Sequence, residues 1–161
     1  MATKRKPKRP AGRTRRPATG KASAPRRPKR RQPETFRARA LTPALTVSNL
    51  QQSIAWYEGV LGFTVADRWE AENTLRGVEL KAGATSLYLS QDDWAKGRDR
   101  LKGEGMRLRF TTAQDIDRFA AQITSRGGGL DQEPRTMPWG ERTFTLSDPD
   151  GYRLTIAQLK R

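Results

Sequence analysis

Arginine is the residue type in this chain with the clearest capacity for chemistry. Arg107 and Arg109 stand two apart where Met106, Leu108 and Phe110 alternate with polar residues, and Arg153 and Thr155 stand two apart in a second such stretch. Successive side chains of a strand point to opposite faces, so each pair shares one face. A guanidinium presents a planar fork of donors that matches carboxylate or phosphate, and it is expensive to enclose without an anion. The pattern predicts an anionic ligand met by Arg109 with Arg107 or Arg153. Pairing with Glu70, Glu79 or Glu141, or a solvated rim, is the competing expectation.

Absent residue types narrow the chemistry further. The chain has no histidine and no cysteine. Disulfides, thiolate catalysis and a histidine-based nucleophilic triad are therefore excluded. Gly127-Gly128-Gly129 follows a helical pattern instead of opening one, so it is no phosphate-binding loop. Glu79, Glu141 and Tyr88 remain as acid or base candidates if desolvated, but no spacing among them identifies a reaction. Trp69, Trp94 and Trp139 are candidates for stacking on a flat ligand. Trp139, beside Gly140 in a predicted loop, is the favoured one.

The elements that must position these residues repeat. Leu41 to Val47 alternates as a half-buried strand, with Leu45 and Val47 on one face and Thr42, Ala44 and Thr46 on the other. Asn49 caps a helix whose Leu50, Ile54, Tyr57 and Leu61 share a face, and Gly62 ends it. Strands are predicted at Phe63 to Trp69, Thr74 to Ala82 and Thr85 to Gln91. About 65 positions on, the order restarts with a strand around Met106 to Thr111 and a helix carrying Ile116, Phe119, Ala120 and Ile123. Three more strands are expected, at Leu130 to Thr136, Arg142 to Ser147 and Tyr152 to Leu159, with a turn at Asp148-Pro149-Asp150-Gly151 between the last two. Asp92 to Gly103 is the connector.

Charge is distributed very unevenly. Residues 1–33 hold 14 of the 32 basic residues and none of the 17 acidic ones, leaving 18 against 17 for the remainder. With six of the ten prolines and no large apolar side chain after Met1, this stretch cannot bury enough surface to offset its ordering entropy. It reads as a disordered tail, residues 1–38, ahead of one domain, 39–161, with modules at about 41–91 and 105–159. Such a polycation predicts nonspecific DNA or RNA association through Lys4, Arg5, Lys6, Lys8, Arg9, Arg15, Arg16, Arg26, Arg27, Lys29, Arg30 and Arg31. It lacks aromatics for stacking and the apolar face of a transit peptide. No apolar run is long enough to span a membrane, and a cytoplasmic location, with nucleoid association as its variant, is expected.

Several fragments carry a family resemblance by their order and spacing: Val47-Ser48-Asn49-Leu50 leading to Trp56-Tyr57 and Leu61-Gly62-Phe63, then Pro138-Trp139-Gly140, Arg142, Phe144, and Asp148-Pro149-Asp150-Gly151. From Leu41 to Gln158 the chain resembles the vicinal oxygen chelate superfamily, which includes glyoxalase I, extradiol dioxygenases and bleomycin-resistance proteins. The resemblance implies an α+β fold of two tandem βαβββ modules. It also implies metal-ligand positions, and these fall here on Thr42, on Arg107 or its neighbours, and on Thr155. None of those side chains suits a divalent metal. The chain is thus most similar to the metal-free bleomycin-resistance branch, whose members dimerise and hold ligands in clefts.

The expected ligand-binding set is Thr42, Thr46, Arg107, Arg109, Trp139, Arg153 and Thr155, with no metal and no cofactor. The leading expectation is a metal-independent binder that sequesters an antibiotic or an anionic metabolite, although an arginine lining argues against cationic bleomycin. A metal-independent lyase or isomerase and a nucleoid-associated adaptor are the alternatives.

Overall fold

Strands and helices follow one another in a repeated order, βαβββ and again βαβββ, in the computed structural model, which describes residues 38–159. The basic stretch from Lys4 to Arg31, with its expected nucleic-acid contacts, lies outside the described residues. The first module runs β1 (Ala44–Val47), α1 (Leu50–Gly59), β2 (Thr64–Ala71), β3 (Thr74–Ala82) and β4 (Thr85–Gln91). The second runs β5 (Arg107–Thr112), α2 (Ile116–Ser125), β6 (Gln132–Thr136), β7 (Arg142–Ser147) and β8 (Arg153–Gln158). Each builds a four-stranded sheet on one plan, β1-β4-β3-β2 and β5-β8-β7-β6, with one parallel pair in each. The α+β fold of two tandem modules is the one expected.

Local chemistry explains where the elements begin and end. Asn49 accepts a hydrogen bond from the Gln52 N–H at 3.1 Å, and Asp115 caps α2 in the same way through the Arg118 N–H at 2.8 Å. Gly62 takes a left-handed φ of 76° just past α1, where its N–H reaches the Glu58 carbonyl at 3.1 Å. The first strand is shorter than its alternation implies. Leu41 is 93% exposed, and pairing starts only where the Pro43 carbonyl accepts from the Tyr88 N–H, because proline has no N–H to return. Strand β2 instead runs further than expected, into a hairpin whose tip residues Glu72 and Asn73 both have positive φ.

Alternation then sorts the two faces of each sheet. Leu45, Val47, Val78, Leu80, Leu87 and Leu89 are buried on one face of the first sheet, and Phe144, Leu146, Leu154 and Ile156 on one face of the second. Helix stripes Leu50, Ile54, Tyr57 and Ile116, Ala120, Ile123 are buried in the same core. Fully burying a side chain of this size stabilises the fold by about 1.5–3 kcal/mol.

Polar groups join the modules inside this core. Tyr57, fully buried, donates its hydroxyl to Asp148 Oδ2 at 3.0 Å, while Asp148 Oδ1 accepts from the N–H groups of Tyr152 and Asp150 at 2.8 and 3.0 Å. Asp150 accepts from the Ser48 N–H, and the Tyr152 hydroxyl donates to the Thr46 carbonyl at 3.0 Å. Burial pushes the Asp148 carboxyl above its ordinary range, and the hydrogen bonds from Tyr152 and Tyr57 oppose that shift. The Asp-Pro-Asp-Gly turn is therefore more than a reversal: it grips α1 of the other module.

The connector is fastened as well. Lys102, its side chain 3% exposed, pairs with buried Asp92 and lies 4.9 Å from the Trp94 ring centroid, with Arg98 over the same ring at 5.1 Å. The hydrogen bond from Lys102, aided by the Trp94 N–H, holds the Asp92 carboxyl down to about 2. At Gly103 a Cβ would come within 2.6 Å of the Gly151 carbonyl oxygen, so only glycine lets the connector lie against the turn.

Tyr57→Phe leaves a buried carboxylate oxygen without its donor. The substitution should lower the unfolding free energy by about 1–3 kcal/mol in urea titrations, and a loss below about 0.5 kcal/mol would show that the grip is incidental.

Candidate functional site

On the second sheet the face opposite α2 carries the arginines. Pairing places Arg107 beside Arg153, Arg109 beside Thr155, Thr145 across from Thr155, and Ser147 across from Arg153. Arg107, Arg135, Arg153, Thr145, Ser147 and Thr155 line a cavity of about 450 Å³ together with Gln132 and Asp131. Asp131 accepts from the Ser147 hydroxyl at 2.7 Å. Among the described residues none of the ion pairs involves Arg107, Arg135 or Arg153. Arg107 and Arg153 also border a neighbouring hollow of about 560 Å³ formed by Leu101 to Met106 and Gly151. Three exposed guanidinium groups thus stand among hydroxyls, with the Asp131 carboxylate in the same lining.

The seven residues expected to bind ligand do not all meet. Arg107, Arg153 and Thr155 share the cavity. Arg109 does not line it. Its guanidinium pairs with Glu141, which also accepts from the Trp139 Nε1–H at 3.1 Å, so the competing expectation of an ion pair holds at this position. Trp139 is exposed on the β6–β7 loop beside that pair. Thr42 and Thr46 sit with the first sheet, where Thr46 pairs with Ser90 and gives its carbonyl to Tyr152.

Arg135, Thr145 and Ser147 were missed from sequence. The signal for Thr145 and Ser147 was present, since Phe144 and Leu146 on the opposite parity are buried. Arg135 was hidden by an irregularity: register slips between Gln132 and Arg135, which puts two residues three apart on one face. Pro134 in the middle of the strand is the visible sign of such a break.

The matching face of the first sheet has different chemistry. Trp69 and Tyr88, each 38% exposed, meet edge to face with centroids 5.7 Å apart. Trp69 lies flat over Gly77, where a Cβ would come within 2.2 Å of the indole. Glu79, next to Tyr88 in the ladder, stands 3.6 Å from Lys81. The three acid or base candidates are thus placed: Glu79 against a lysine, Glu141 against Arg109, and Tyr88 on an open sheet face.

The residues at the expected metal positions do not fit a divalent ion. Thr42 and Thr155 offer neutral hydroxyls and Arg107 a cation, whereas such an ion needs imidazole, thiolate or carboxylate donors. Among the described residues no three of His, Cys, Asp or Glu are grouped to hold one. No described helix is long and apolar enough to cross a membrane.

A repeated βαβββ unit, paired sheets of order 1-4-3-2 and a ligand-sized hollow on an open sheet face define a known class. The family model described as Glyoxalase/Bleomycin resistance protein/Dioxygenase superfamily matches residues 39–156, and the chain belongs to that superfamily. Among solved structures it is similar to a superfamily member from Sphaerobacter thermophilus, with a TM-score of 0.63 and 25% identity over 76% of this chain and 98% of that one. It is similar in fold to TioX from Micromonospora, with a TM-score of 0.62 and 19% identity over 73% and 96% of the two chains. Lactoylglutathione lyase from Agrobacterium tumefaciens shares the fold with a TM-score of 0.57 and 16% identity over 76% and 95%. No curated protein sequence matches the chain.

Proposed function

We propose that this protein binds a small anionic molecule on the open face of its second sheet, without a metal and without turnover. The observation that carries this reading is the set of three guanidinium groups, Arg107, Arg135 and Arg153, around one hydroxyl-lined cavity with no ion pair to any of them among the described residues. Their planar forks match a carboxylate or phosphate entering that cavity. Turnover by a carboxylate has less support, because Glu79 and Glu141 each stand beside a cation. Binding rather than reaction is the role these groups suit. Inorganic phosphate and citrate at constant ionic strength should raise Tm, whereas a polyamine should not. Arg107→Gln with Arg153→Gln should weaken the anions by roughly ten- to a hundredfold, since each charged hydrogen bond is worth about 1.5–3 kcal/mol. EDTA should change nothing. Equal response to both charges, or loss of binding on chelation, contradicts the reading.

The protein's own partner, in this reading, is a second copy. Trp69 and Tyr88 expose apolar surface on an otherwise ordered sheet face, and a second copy would cover it. Sedimentation equilibrium should return twice the chain mass, and a monomer at micromolar concentration contradicts it.

The N-terminal stretch supports one added activity. With 14 positive charges and no negative ones in 33 residues, it is suited to phosphate backbones without sequence preference. Full-length protein should bind duplex DNA at low salt and release it steeply as salt rises. Retention of that binding after residues 1–33 are deleted would assign it elsewhere.

A further inference from the structure

The two modules repeat with an offset of 66 residues, and one contact of the repeat is missing. Leu50 corresponds to Ile116, Ser53 to Phe119, and Tyr57 to Ile123. In one half, the β7–β8 turn carries Asp148 and Asp150, which fasten it to Ser48, Ser53 and Tyr57 on and before α1. In the other half, the equivalent β3–β4 turn is Ala82-Gly83-Ala84, and it has no carboxylate. The α2 counterparts of Ser53 and Tyr57 are Phe119 and Ile123, which have no hydroxyl to fasten. The polar grip is made once instead of twice.

A groove of about 660 Å³ occupies that place. Its floor is Phe63, Phe110 and Phe119, with the first two rings edge to face at 5.9 Å, and the Ala82-Gly83-Ala84 turn forms one wall. On its rim stands Arg126, just past α2. Its Nη1 donates to the Val60 carbonyl at 3.3 Å, which fixes the fork across the module boundary. Among the described residues no ion pair engages Arg126. Size, aromatic floor and one positioned cation together suit a small amphipathic ligand.

We propose that this groove is a second binding site, separate from the arginine-lined cavity, for a flat apolar molecule bearing one carboxylate. The rings take the apolar body and Arg126 takes the carboxylate. The two sites differ in character: the sheet face carries three arginines among hydroxyls, and the groove carries one arginine over phenylalanines. The site exists because the short turn leaves unfilled the volume that its longer counterpart occupies in the other half.

Isothermal titration calorimetry of the full chain with 2-naphthoate and with uncharged 2-naphthamide tests this. Arg126→Gln should weaken naphthoate roughly tenfold or more and leave naphthamide unchanged, as expected for one charge-assisted hydrogen bond. Ala84→Trp, at an exposed turn position, should fill the groove and abolish both while preserving the far-ultraviolet circular dichroism. Arg107→Gln with Arg153→Gln should leave naphthoate binding intact, and Arg126→Gln should leave phosphate binding intact. The proposal is overturned if naphthoate does not bind by about 1 mM. It is equally overturned if acid and amide bind alike, or if naphthoate is lost in the sheet-face variant instead of the groove variants.

Discussion

A buried carboxylate and a buried phenol decide how the two halves of this domain meet. Asp148 lies in the core where burial disfavours its charge, and it stays there because the Tyr57 hydroxyl and two backbone N–H groups satisfy its oxygens. Removing any one donor leaves the others to hold a group that water would otherwise solvate. With the turn anchored on α1, one core takes in both helices and the apolar face of each sheet. The remaining faces point outward, and their side chains are thereby released from packing duty.

Those faces have diverged in chemistry. The first carries an indole and a phenol in contact beside a glutamate paired with lysine, and the second carries arginines among hydroxyls. Sequence places threonine and arginine where metal-binding relatives are expected to hold ligands. In this chain the same positions present two neutral hydroxyls and a guanidinium group, none of which replaces the imidazole or carboxylate donors of a divalent ion. The grip on α1 supports the site indirectly, since it fixes the β7–β8 turn between Ser147 and Arg153.

Much of this could be read from residue order because strand parity and helix spacing are local rules. Leu45 and Val47 against Thr46, Leu154 and Ile156 against Thr155, and the cap at Asn49 all obey them. What escaped depends on residues distant in the chain. The Arg109–Glu141 pair spans 32 positions, and nothing in either neighbourhood singles out that partner from Glu70 or Glu79. Arg135 escaped because parity fails across a register slip, and the seat of Trp69 over Gly77 because it depends on how β2 and β3 align. A glycine inside a strand does announce a close approach, but not by whom.

Arginine side-chain nuclear magnetic resonance during a phosphate titration at constant ionic strength probes the central claim most directly. The Nε–Hε signals of Arg107, Arg135 and Arg153 should shift together along one binding curve, while those of Arg109 and Arg142, already held by Glu141 and Asp117, stay in place. Shifts spread evenly over all the arginines, or confined to Arg109 and Arg142, would contradict an anion site on the second sheet.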